Sequence, residues 1–123
     1  MPAPFKHDLT ILNAATTSTN GVYVADVQIL AIQWPAAFTG ATISFTGAGI
    51  TQKSGTNTEP ATYVAIVDST GAAVTVAKQL SKISVLTEAQ RDAIAAAAWV
   101  KAVSASAEGA DRTITLLGIS RYR

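Results

Sequence analysis

Ala61-Thr-Tyr-Val-Ala-Ile-Val-Asp68, Ser69-Thr-Gly71 and Ala72-Ala-Val-Thr-Val-Ala77 form the stretch that decides how this chain folds. Two β-rich runs flank a short turn, and Gly71 supplies the positive φ that a tight hairpin turn requires. The pattern predicts an antiparallel hairpin over Ala61 to Ala77. The rest of the chain repeats the style, with short runs of Val, Ile, Thr and Tyr at hairpin spacing between Gly, Asn and Ser clusters.

Outward toward the C-terminus, Lys78 to Leu86 places Ile83 and Val85 in alternation with polar residues. Thr87-Glu-Ala-Gln90 then fits a capping box, and the Ala-rich run behind it predicts one short helix over 87–98. Glu88 and Asp92 suit the positive end of its dipole, and Arg91 is spaced to pair with Glu88. Trp99 to Ala107 returns to extended structure, Glu108-Gly-Ala-Asp111 turns the chain, and Arg112-Thr-Ile-Thr-Leu-Leu-Gly118 closes a final hairpin.

Outward toward the N-terminus, Gly47 to Pro60 is a polar loop, and Phe38 to Gly47 is a half-buried strand with Ala41, Ile43 and Phe45 on one face. Val22 to Trp34 is the longest β-run. Its apolar positions change face near Asp26, which predicts a bulge or bend there before Pro35 ends the run. Leu9-Thr-Ile-Leu12 is a first strand, followed by a polar cluster ending in Asn20-Gly21. Residues 1–7, with Pro2 and Pro4, read as an extended arm, because proline removes donors and fixes φ. Roughly eight strands and one helical crossover over 8–123 predict a mainly β, antiparallel sandwich, jelly-roll-like or immunoglobulin-like.

Composition restricts the function classes. A chain of 123 residues suits one domain with its own core. The absence of cysteine removes disulfide staples and thiolate metal sites. No signal-type apolar stretch follows the N-terminus and no run reaches spanning length. Net charge +1 with 14% charged residues argues against nucleic-acid binding, since the only cationic cluster is Arg121-Tyr-Arg123, which reads as a solvated tail. With 49% hydrophobic residues, such a chain either shows water its Ala, Thr and Ser side chains or covers them with neighbours.

Residues that carry chemistry are sparse. His7 is the only histidine and has no second imidazole beside it. Asp8 with Asp26, or Glu108 with Asp111, are the available carboxylate pairs, the latter reading better as turn residues bonded to their own backbone. Gly47-Ala-Gly49 lacks the strand and helix of a phosphate loop, and Asp68 lacks the second acid of a calcium site. No catalytic, cofactor or metal residue is expected. Of the aromatics, Trp34 at a strand end, near Tyr23 or Tyr63, is the candidate sugar contact, whereas Trp99 reads as core.

Leu9-Thr-Ile-Leu-Asn-Ala14, Phe38-Thr-Gly-Ala-Thr-Ile-Ser-Phe45, Tyr63 to Gly71, Trp99-Val-Lys-Ala-Val103 and Thr113-Ile-Thr-Leu116 together resemble small β-sandwich structural proteins of tailed bacteriophages. These include head decoration or cement proteins. The resemblance spans Leu9 to Leu117 and lies in pattern, with no diagnostic motif; the longer helix and a Gly47 to Pro60 loop without a charged receptor-type cluster depart from it. It implies a non-enzymatic virion protein on the capsid surface, made in the host cytoplasm, often a trimer, joined to major capsid subunits by an N-terminal arm. Here that arm is Pro2, Ala3, Pro4, Phe5, Lys6 and His7. A carbohydrate-binding or a tail or neck module is the alternative.

Overall fold

The computed structural model describes residues 3–49 and 59–120. The strands are β1 (Pro4–Ile11), β2 (Val22–Tyr23), β3 (Val27–Gln33), β4 (Thr42–Ala48), β5 (Val64–Ala65), β6 (Val76–Ala77), β7 (Ile83–Val85), β8 (Trp99–Ser104) and β9 (Arg112–Ser120), with helix α1 (Glu88–Ala95) between β7 and β8. They form two antiparallel sheets. One is ordered β1-β9-β3-β7; the other is ordered β2-β8-β4-β5, with β6 also on β4. The predicted sandwich is therefore present, and this strand order is that of a jelly roll.

The Ala61 to Ala77 hairpin is only partly formed. Asp68 accepts from the amides of Thr70 and Ala72, and Gly71 at φ 90° completes the turn. Beyond the Val67 and Ala73 bridge, however, the flanks do not pair with each other. β5 pairs with Thr46 and Gly47 of β4, and β6 pairs with Thr42 and Ile43 of the same strand. Both run antiparallel to β4, so they are one edge strand interrupted by the 66–75 excursion. The final hairpin is likewise replaced, because β8 and β9 lie in different sheets.

The expected bend at Asp26 is where the chain leaves one sheet for the other, between β2 and β3. A second irregularity lies inside β3, where the register against β9 shifts between Ile29 and Ala31. The extra residue lets Ile29 and Ile32, three apart, both face the core. Gly118 sits opposite Ile29, and a Cβ there would come 2.1 Å from the Gln28 carbonyl oxygen, so only glycine admits the bulge.

Period-two burial builds the core. Leu9 and Ile11 of β1, Ile114 and Leu116 of β9 and Ile32 of β3 meet Ile43 and Phe45 of β4 and Val100 and Ala102 of β8. Each of these Leu, Ile, Val and Phe side chains contributes about 1.5–3 kcal/mol by leaving water. α1 adds Ile94 at the open side. Its capping box is as predicted, with Gln90 N on the Thr87 hydroxyl and Thr87 N on Gln90 Oε1. The helix ends at Ala95, short of Ala98, and the expected Arg91 to Glu88 pair is absent: the only ion pair among the described residues is Arg112 to Glu108.

The expected arm is a correction. Pro4 to His7 belong to β1 and pair with β9 from Ile119 to Leu116, while Pro2 lies outside the described residues. Phe5 and His7 continue the inward alternation of Leu9 and Ile11, which is why the segment joins the sheet. Thr10 offers its carbonyl to Thr19, away from β9, so Pro4 also faces the outer edge, where its missing donor costs nothing.

One end of the sandwich is held by Glu108, which is 2% exposed. Its carboxylate accepts from Thr39 N (2.8 Å), Gly40 N (3.0 Å), the Ser104 hydroxyl (2.7 Å) and Arg112 Nε (3.2 Å). Its backbone exchanges bonds with Ala14 and Ala15, and Asp111 takes the amide of Asn13. The two acids thus bond neighbouring loops instead of their own turn. Desolvation pushes the Glu108 carboxyl up, but the four donors outweigh it and hold it below the ordinary glutamate range.

A depressed folded value means that this contribution is present above the ordinary glutamate pKa of about 4.3 and is lost as pH falls through the folded value. Glu108→Gln should cost about 3 kcal/mol in urea unfolding at neutral pH, and should flatten the loss of stability in acid. Ala14, held at φ 68° by this clamp, predicts the opposite sign: Ala14→Gly should stabilise by about 1 kcal/mol.

Candidate functional site

The chemistry-bearing side chains are dispersed over both sheets and their loops. Asp8 on β1 accepts from the Thr115 hydroxyl at 2.7 Å. Asp26 lies in the β2 to β3 turn. Asp68 closes its own turn, where the Thr70 hydroxyl (2.6 Å) and the amides of Ala72 and Thr70 hold its carboxyl below the usual range. Glu108 and Asp111 bind separate loops. His7 stacks on Phe5 with ring centroids 6.5 Å apart. Among the described residues no three His, Cys, Asp or Glu converge on a metal-sized site. No helix among them is long and apolar enough to cross a membrane.

The aromatic candidates are not brought together. Trp34 is buried at the end of β3, its Nε1 donates to the Ser84 hydroxyl (3.0 Å), and its ring meets Phe38 edge to face at 5.2 Å. Tyr23 is in the other sheet, edge-on to Trp99 at 5.4 Å, as the Tyr23 and Trp99 register dictates. The expected Trp34 and Tyr23 contact therefore does not form, because Trp34 points into the sandwich and Tyr23 lies on the outer face of the opposite sheet.

Tyr63 does share that outer face. Lys101 Nζ stands 4.5 Å from its ring centroid, and its hydroxyl rests over Gly21. Burial, and then the nearby Glu59 carboxylate, push its phenol up to about 12. Thr46 Oγ1 and Trp99 Nε1 are buried with no hydrogen-bond partner among the described residues. These rings pack edge-on and partly covered, so no flat exposed platform for a sugar is formed. Lys101 was missed; the Trp99-Val-Lys101 alternation puts it on the Trp99 face, but the approach of Tyr63 is long-range.

What remains open is apolar surface. A groove of about 630 Å³ lies between α1 and the 66–75 excursion, with Ile66, Val74, Ala89, Ala93 and Ala96 along it. On the other sheet, β7 reverses the expected alternation: Ile83 is 57% and Val85 80% exposed, while Ser84 faces inward to Trp34. Val85 stands opposite Ala31, and Ala31 opposite Leu117, which makes a small-to-branched apolar row across the outside of the sheet.

The Tyr63 environment is checked by ultraviolet titration of the phenolates. One of the three tyrosines should ionise near pH 12, and Tyr63→Phe should remove that step.

No protein-family model matches the sequence, and no curated protein matches it. Among solved structures, the crystal structure of the SPBc2 prophage-derived protein YomS is similar, covering 98% of this chain and 97% of its own, with a TM-score of 0.47 and 17% identity.

Proposed function

We propose that this protein is a non-enzymatic structural subunit of a tailed-phage particle, a capsid decoration or cement protein that binds major capsid subunits. The observation that carries this reading is the apolar row on the outer face of the β1-β9-β3-β7 sheet, where Ile83 and Val85 are open to solvent at the edge and Val85 leads across to the nearly covered Ala31 and the half-buried Leu117. The row belongs to a chain with net charge +1 and only 14% charged residues. Surfaces of this kind bury cheaply against a neighbour, since short and branched side chains lose little rotamer freedom. Asp68, Glu108 and Asp111 meanwhile bond turns and loops, which suits a subunit that binds without chemistry.

Jelly rolls serve as capsid and lectin domains alike, so the fold by itself does not choose between them. The buried Trp34 and the edge-on Tyr23 and Trp99 pair weigh against a sugar platform. With Pro4 to His7 paired in the protein's own sheet, attachment is through folded faces, without a clamp by those residues.

The test is co-sedimentation of the purified chain with empty capsids of the phage that encodes it. Saturable pelleting at a fixed ratio to the major capsid protein, with a higher disruption temperature of the loaded capsid, is the expected result. Protein that stays in the supernatant at every ratio would overturn the capsid role.

A further inference from the structure

We infer that the free edge of β7 is a self-association site, at which two copies of the chain join β7 to β7 about a two-fold axis through Ser84. The backbone register sets this up. Trp34 N donates to Lys82 O and Leu86 N to Leu30 O, so the even positions of this segment bond β3. The alternation of antiparallel pairs then directs the N–H and C=O groups of Ile83 and Val85 away from β3. No described residue bonds them there.

The other sheet edges are closed to such pairing. On β1 the outward positions are Pro4, Lys6 and Asp8, one lacking a donor and two charged, a combination that blunts an edge. β2 is two residues long, and the β5 and β6 edge is broken by the 66–75 excursion. β7, three residues long, is free of proline and charge and carries exposed β-branched side chains. A head-to-tail ring that joins β7 to β1 of the next copy meets the guarded edge, so the contact closes on itself.

A second copy fits this edge in one register. Only outward-facing residues can bond across it, and pairing Ile83 with Val85 of the second copy, twice by symmetry, makes four backbone bonds. Ser84 faces Ser84 at the axis. On the outer face the four side chains of Ile83 and Val85 then form one apolar cluster, flanked by Ala31 of each copy. At each end this register sets Lys82 of one strand opposite Leu86 of the other, two residues short of Glu88 at the start of α1, and an attraction between the two charges is part of the proposal. The net charge of +1 adds little repulsion between copies. The contact is two-fold and therefore gives even-numbered assemblies, not the trimer that the cement-protein resemblance implies.

The experiment is sedimentation equilibrium of the full chain up to about 1 mM, the range in which a small contact shows. A monomer of 12.7 kDa in equilibrium with a species of twice that mass is expected. Val85→Lys, at a site too exposed to disturb the core, should weaken dimerisation at least tenfold with an unchanged circular dichroism spectrum. Lys82→Glu should weaken it as well, and adding Glu88→Lys to that variant should restore it. A monomer at every concentration, a trimer, or a dimer indifferent to Val85→Lys would each overturn the proposal.

Discussion

The buried Glu108 carboxylate is the constraint on which the rest of this sandwich leans. Most connections here pass from one sheet to the other, so the two layers are tied mainly by side-chain packing and by whatever the loops can bond at the ends. At one end, four donors from the β3 to β4 loop, β8 and β9 converge on a single acid, and its backbone adds the β1 to β2 connection. A charge buried in this way is tolerable only while every donor is present, which makes the loop geometry mutually dependent.

The same economy governs the rest of the molecule. Few polar groups carry much structural responsibility, and most of them are consumed by it: Asp68 by its turn, Asp111 by Asn13, Ser84 by Trp34. What is left bare is largely apolar surface. The groove beside α1 mixes Ile66, Val74 and the alanines of the helix with Asp68, Gln90 and Asp92, while the edge of β7 shows Ile83 and Val85 to solvent. The proposed structural role and the proposed two-fold pairing both rest on this division between engaged polar groups and bare apolar surface.

The clearest departures from the sequence reading came from strand partners. The Ala61 to Ala77 stretch holds β-strands and a glycine turn, as its residues indicate, yet its flanks prefer the long edge of β4 to each other. A hairpin reading weighs local turn chemistry, whereas β4 offers a continuous ladder whose inward side chains, Ile43 and Phe45, are already buried. The expected arm failed for a related reason. Two prolines signal irregular chain, but Phe5 and His7 keep the period of Leu9 and Ile11, and a central β9 nine residues long has room for them.

The sequence by itself determined the mainly β class, the approximate positions of most strands, the capped helix and its Thr87 start, because these follow from side-chain periodicity and local hydrogen bonding. The tertiary structure alone decided which strands meet, which face of β7 is outward, and that Glu108 and Lys101 face partners 68 and 38 residues away, at Gly40 and Tyr63. Period two is blind to sign. It says that Ile83 and Val85 share a face, and only pairing with β3 says that the face is the one turned to solvent.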